Sequence, residues 1–154
     1  MFFPDKQAGY REARRVLAPG GRYVFSVWDR LEQNEVSRVV HDAVAALFPD
    51  DPPRFFERTP FGYFDVDAIR GALDSAGFGR ITIETVEQVT RARSAEHVAI
   101  GLCQGTPLRA EIETRAPARL EEATRAAADA LSARFGKADF DNRMSAHVVT
   151  ASPA

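Results

Sequence analysis

The run from Leu17 to Asp29, LAPGGRYVFSVWD, constrains this chain more than any other stretch. Pro19-Gly20-Gly21 stops one element and turns into the next. The residues after it, Tyr23-Val24-Phe25-Ser26-Val27-Trp28, are apolar, aromatic and β-branched apart from one small Ser. That pattern predicts a strand covered on both faces. Ahead of the turn, Tyr10 to Leu17 mixes Arg and Glu with Tyr10, Ala13, Val16 and Leu17 at helical spacing. The unit therefore reads as helix, Gly-containing stop and buried strand, with Asp29 at the strand's carboxyl end. A buried parallel strand requires neighbours on both sides and helices above and below it.

Composition sets the frame for those neighbours. The chain has 154 residues, 45% hydrophobic and 27% charged, which predicts one globular domain spanning 1–154 with a single core. The net charge of −2 and the pI near 5.9 give no electrostatic footprint for nucleic acid. One cysteine, Cys103, excludes an intrachain disulfide and suits a reducing cytoplasm. The opening MFFPDKQ lacks the basic start and long apolar run of a signal peptide, and no run approaches the ~20 apolar residues of a membrane helix. The expectation is a soluble cytoplasmic protein with no membrane partner.

Beyond the opening unit, Asn34 is an N-cap candidate for a helix to about Phe48, with Val36, Val40, Val44 and Leu47 on its apolar face and His41 elsewhere. Arg54 to Phe64 carries Phe55, Phe56, Phe61, Tyr63 and Phe64, a loop aromatic enough to form a lid or line a pocket. Asp65 caps a helix from Val66 to Ala76, closed by Gly77. Ile81 and Ile83 then alternate with Thr82 and Glu84 in an edge strand with one wet face, Arg80 to Val89. Ser94 caps a helix to about Cys103, Thr106-Pro107 restarts it, and Pro117 interrupts it again. Leu120, Ala123, Ala127, Leu131 and Phe135 mark a longer helix ended by Gly136, and residues 137–142 read as a polar loop. Met144 to Ala151 alternates as a last strand. The total is three strands and about five helices.

Little of this carries chemistry by pattern. No G-x-G-x-x-G or P-loop occurs, and Gly77-Phe78-Gly79 sits between helix and strand, the reverse of a cofactor turn. His41, His97 and His147 lack metal-ligand spacing and read as surface or half-buried residues. Ser26 has no nucleophile elbow. Cys103 near a helix end reads as packing. The mixed Arg and Glu of 109–125 form a solvated helix face. What remains is the carboxyl end of the Tyr23–Trp28 strand, where open α/β sheets bind ligands. Trp28 and Asp29 lie there, and Phe61 and Tyr63 are candidate lining residues of the substrate pocket. The alternatives are a core role for Trp28 and a turn-forming role for Asp29. Phe2 and Phe3 read best as anchors tucked onto the core.

The run Arg15-Val16-Leu17-Ala18-Pro19-Gly20-Gly21 leading into an apolar strand resembles a block of class I S-adenosylmethionine-dependent methyltransferases. There it forms the helix before the fifth strand, the turn and that strand, and Phe3-Pro4-Asp5 fits the loop after the fourth. The resemblance extends in order across most of the chain, least diagnostically over 94–136. It implies an α/β, partial Rossmann-like methyltransferase sheet whose last strand inserts antiparallel, giving the order first strand, last strand, second strand. It also implies an acceptor-side portion that binds a small-molecule methyl acceptor. Phe2 and Phe3 would then lie beside the S-adenosylmethionine and substrate crevice. The family's Gly-rich turn and ribose-binding acid would lie upstream of Met1, so this chain alone is expected not to hold the cofactor and to be inactive by itself. Two other readings stay open: a non-catalytic self-associating remnant, and a small apolar ligand-binding module. The strand at 22–29 has no charge, Pro or bulge to blunt a bare edge, which predicts a homodimer joined there.

Overall fold

The structure, a computed structural model, describes residues 2–154. It is mixed α/β, with seven α-helices and an open three-stranded antiparallel sheet. The chain divides into two compact units, each assembled from separated segments. The first takes the stretch up to Arg30, Thr59–Glu87 and Ser145–Ala154, and the second Leu31–Arg58 and Gln88–Met144.

In the first unit, helix α1 runs Lys6–Val16, begun by Asp5, whose carboxylate accepts the Ala8 amide at 2.8 Å. Arg14 and Arg15 occupy its last turn, the favourable end for cations. The stop is a turn in which the Gly21 amide donates to the Ala18 carbonyl at 2.9 Å. Gly20 takes φ +76°, the Pro-then-Gly order of a type II turn. Strand β1, Tyr23–Trp28, follows. Helix α4, Val66–Ser75, starts at Asp65, whose side chain accepts the amides of Asp67 and Ala68. It ends at Gly77, with φ +89°, where the Arg14 guanidinium donates to the glycine carbonyl at 2.7 Å.

Strands β2, Phe78–Ala92, and β3, Phe140–Pro153, begin or end in this unit and run on into the second. The sheet order is β1-β3-β2, and β3 pairs antiparallel with β1, Tyr23 facing Ala151 and Trp28 facing Ala146. This is the order expected from the sequence. The core beneath it joins Tyr10, Val27, Ile69, Leu73, Phe78, Val149 and Ala151, with Tyr23 and Phe25 packed against it.

Three expectations are corrected here. First, β1 is not covered on both faces along its length; on the outer parity only Trp28 is half-buried. Tyr23, Phe25 and Val27 turn inward, while Val24 is 59% exposed and Ser26 is exposed too. A strand with period-2 burial needs one apolar face, and the aromatic content of YVFSVW hid the small, wet position at Ser26. Its neighbour is antiparallel and lies on one side, not the parallel pair that continuous apolarity suggested. Second, Phe2 and Phe3 are 68% and 55% exposed instead of being tucked away. The Phe3 ring lies against Gly9, where a Cβ would come within 2.7 Å. Third, residues 140–142 belong to β3 and not to a loop. Phe140 stacks on Phe135 at 4.7 Å, and Arg91 on β2 pairs with Asp139 just ahead of β3. These contacts extend strand structure through a stretch too polar to read as such.

The second unit is helical. It holds α2, Glu35–Ala45, the short α3, Phe55–Arg58, α5, Ala95–Gln104, α6, Leu108–Arg115, and α7, Leu120–Phe135, with 3-10 turns at Leu31–Gln33 and Pro117–Arg119. Helix α7 packs on both α5 and α2. Ala99, Ala123 and Ala127 are fully buried at these contacts, and residues this small let helix axes approach closely. The acidic loop before α3 is tied to α6: Arg115 pairs with Asp51 at 3.0 Å, and Glu111 accepts the Arg54 amide at 2.8 Å and pairs with Arg58. Phe55 and Phe56 are buried by α3 formation, so this half of the aromatic stretch is core. Cys103 is fully buried, and its thiol is pushed up to about 11 by burial, against a hydrogen bond from Thr124 that lowers it. It is a packing residue with no thiolate reactivity near neutral pH.

The packing of α7 yields a direct test. Leu131→Ala, at a fully buried site, should cost about 2–5 kcal/mol. Ile100→Ala on α5, at 44% exposure, should stay within about 0.5 kcal/mol of wild type. Urea denaturation of both variants checks the difference; similar costs at the two positions would contradict this packing.

Candidate functional site

The carboxyl end of β1 carries a polar cluster built by the sheet register. Because Asp29 follows β1 by one residue, its amide still reaches β3 and donates to the Ser145 carbonyl at 3.1 Å. On β3, Ser145 and His147 share the buried parity with Val149 and Ala151. Their side chains therefore meet the Asp29 carboxylate. Ser145 Oγ donates to Asp29 Oδ2 at 2.9 Å, and His147 Nε2 lies 3.3 Å from Asp29 Oδ1. The Arg30 amide donates to Oδ1 at 2.7 Å. On the other side of the imidazole, Thr85 Oγ1 lies 3.0 Å from Nδ1.

These contacts run across three strands, from exposed Thr85 on β2, through buried His147 on β3, to Asp29 beyond β1. In the tautomer with its proton on Nε2, the imidazole donates toward the carboxylate and Nδ1 accepts from the Thr85 hydroxyl. Burial matters to its energetics: His147 is 4% and Ser145 2% exposed, so each needs its partner. Threonine, imidazole and carboxylate in this order share the connectivity of a nucleophile triad. Thr85, however, sits inside a 15-residue strand and not on the strained strand-to-helix turn that aims a nucleophile. The arrangement orients Asp29 and can carry a proton along the imidazole.

The aromatic candidates lie in the same unit. Trp28 is half-buried, its ring 6.0 Å from that of Phe61. Phe61 is only 6% exposed, a degree of burial that makes it a packing anchor for the Trp28 ring. Tyr63 is half-buried; its hydroxyl meets that of Tyr10 at 3.2 Å, and Lys6 Nζ sits 4.6 Å above its ring. Burial, then the Tyr63 hydrogen bond, raise the Tyr10 phenol above its usual range. The Arg30 guanidinium stacks 5.1 Å from Phe64. The structure thus joins Trp28 to Phe61 beside Asp29 in the chain, joins Tyr63 to Tyr10, and leaves Phe2 and Phe3 on the lead into α1.

His147 was expected at the surface or half-buried, and so was His41; both are buried, at 4% and 9% exposure. His41 Nε2 lies 3.4 Å from Glu57 in the second unit. His97 is exposed, bonded to the Ser94 cap at 2.7 Å. The signal for His147 and Ser145 was present in the alternation itself, since both share parity with Val149. Polar residues at buried parity ask for a partner, and the β1–β3 register sets Asp29 beside them. Thr85 had no such signal.

In the resembled family the cofactor sits at a Gly-rich turn that leads from strand to helix; Gly20-Gly21 and Gly77 both follow a helix and precede a strand, so neither supplies that turn. A cleft of about 710 Å³ in the first unit is lined by Arg14, Arg15, Gly20, Gly21 and Arg80. It flanks the amino end of β1 and includes none of Trp28, Asp29, Phe61 or Tyr63. Among the described residues no three His, Cys, Asp or Glu side chains converge to hold a metal ion, and no helix is long and apolar enough to cross a membrane. No family model matches the chain.

The Asp29 cluster makes a quantitative demand. Asp29→Ala removes the shared acceptor of Ser145 and His147 and should destabilise by about 1–3 kcal/mol for each buried donor stranded. In a cycle with His147→Leu, the coupling energy should fall within about 0.5–3 kcal/mol. Strictly additive losses in urea denaturation would show that the two side chains do not interact.

Proposed function

We propose that this chain is the acceptor-side portion of an S-adenosylmethionine-dependent methyltransferase-like fold, and that by itself it is not a methyltransferase. The observation that supports this reading best is the strand order, with β3 inserted antiparallel beside β1 and ahead of β2. That arrangement follows the helix–Pro-Gly-Gly–strand unit whose sequence carries the resemblance. The held carboxylate of Asp29 at the carboxyl end of β1, next to the Trp28–Phe61 pair, supplies one polar and one aromatic group where a small-molecule acceptor would be oriented. Methyl transfer depends chiefly on alignment of the reacting atoms, so a site without a catalytic triad is compatible with that role. Cofactor binding belongs in this reading to a Gly-rich turn outside the residues of this chain.

Two measurements test the proposal together. Calorimetric titration of residues 1–154 with S-adenosylmethionine should give no binding in the low micromolar range, roughly −8 kcal/mol. Reading the coding sequence in frame upstream of the Met1 codon should reveal a strand, a Gly-rich turn and a helix, and the extended product should bind the cofactor. A stop codon directly upstream, or tight cofactor binding by residues 1–154, would overturn the reading.

A further inference from the structure

We propose that Thr85 is an acyl-acceptor site, a solvent-facing hydroxyl that the buried His147 imidazole makes nucleophilic toward a neutral activated ester or thioester. The residue stands where the core face of β2 meets solvent. Ile81 and Ile83 precede it at the same parity and pack against the core, whereas Thr85 is exposed. Its hydroxyl lies 3.0 Å from His147 Nδ1, while the histidine is 4% exposed. One side chain therefore touches both a sequestered base and the surface.

The surroundings of the imidazole suit it to act as a base for that hydroxyl. With its proton on Nε2, the ring keeps a lone pair on Nδ1, which faces Thr85 Oγ1. His147 Nε2 lies 3.3 Å from Asp29 Oδ1, so the imidazolium formed by proton transfer meets a carboxylate. That carboxylate is held in turn by the Ser145 hydroxyl at 2.9 Å and the Arg30 amide at 2.7 Å. A nucleophile within reach of a base, itself oriented by a third group, is the arrangement that activates a hydroxyl. Ser94 also meets a histidine, 2.7 Å from His97 Nδ1. Its oxygen, however, is committed to the α5 cap, and that ring is exposed.

The step balances within these groups and the acyl donor. Thr85 Oγ1 attacks the acyl carbon and passes its proton to His147 Nδ1. The imidazolium then returns that proton to the leaving alkoxide or thiolate as its bond to the acyl carbon breaks. The products are an acyl ester on Oγ1, a neutral imidazole and a free alcohol or thiol. Rapid turnover calls for a nucleophile on a strained turn beside oxyanion donors. Thr85 lies instead within the regular strand Phe78–Ala92, so the acyl group stays on and the site is one of modification. Glu87, two residues on along the same face of β2, sets a carboxylate on the approach and selects against an anionic donor.

Incubating the intact chain with p-nitrophenyl acetate and mapping the adducts by peptide mass spectrometry tests this. An acetyl group should appear on Thr85, and neutral hydroxylamine should remove it, as it removes an oxygen ester and not a lysine amide. Acetylation there should be at least about a hundredfold faster than at Thr82, exposed on the same strand, the lower end of what a positioned base contributes. Thr85→Ser should keep the reaction and Thr85→Val abolish it. Asp29→Asn should slow it at least about tenfold and, in nitrogen NMR of the imidazole, reduce the tautomer protonated on Nε2. Acetylation at Thr85 no faster than at Thr82 overturns the proposal, leaving the hydroxyl as no more than a hydrogen-bond donor to the ring. A Thr85 rate indifferent to Asp29→Asn overturns it too. The wild-type comparison of Thr85 with Thr82 decides the matter even if a variant fails to fold.

Discussion

The antiparallel ladder between β1 and β3 is the constraint on which the rest of the first unit depends. It places β3 in the middle of the sheet, so β3 must satisfy hydrogen bonds on both edges and present a core face to α1 and α4. It also sets the parity of every side chain on those strands. Tyr23, Phe25 and Val27 join Val149 and Ala151 in one apolar layer. A slip of one residue would send that layer to solvent and bring Val24 and Ser26 inward.

The polar cluster and the open edge are two consequences of that one register. Toward the carboxyl end of β1, the buried parity of β3 is occupied by His147, opposite Val27, and then Ser145 instead of hydrophobes, and the carboxylate beside them is the first residue after β1. Polar groups this deep are tolerated only when bonded, so Asp29, Ser145 and His147 are one unit energetically. Along the other side of β1 the same alternation leaves Val24, Ser26 and Trp28 with backbone groups directed away from the sheet.

Much of the architecture was legible because local signals agreed with the global fold. Asp65, Ser94 and Gly77 begin and end their helices as their chemistry dictates. The stripe Leu120, Ala123, Ala127, Leu131, Phe135 matches the bounds of α7. Failures came where tertiary contacts override composition. The burial of Phe61 beside Trp28 could not be read from its own loop, because a residue far away in the chain supplies the contact. Phe2 and Phe3 look like anchors because aromatic rings gain from burial, yet they are exposed, with the Phe3 ring against Gly9. The extension of β3 back to Phe140 depends on the Phe135 stack, which no local pattern announces. His147 was misjudged for a different reason: a lone histidine at buried parity was weighed by its type and not by its position.

The central claim is the β1–β3 register, and contacts between backbone α-protons measure it directly. In an antiparallel ladder the non-hydrogen-bonded pairs bring Cα atoms to about 4.5 Å and their α-protons closer still. The register makes Val24–Thr150, Ser26–Val148 and Trp28–Ala146 those pairs. Nuclear Overhauser spectra of the labelled protein should show strong α-proton cross-peaks for all three. Cross-peaks displaced by one residue, or none between these strands, would contradict the register and with it both the Asp29 cluster and the direction of the open edge.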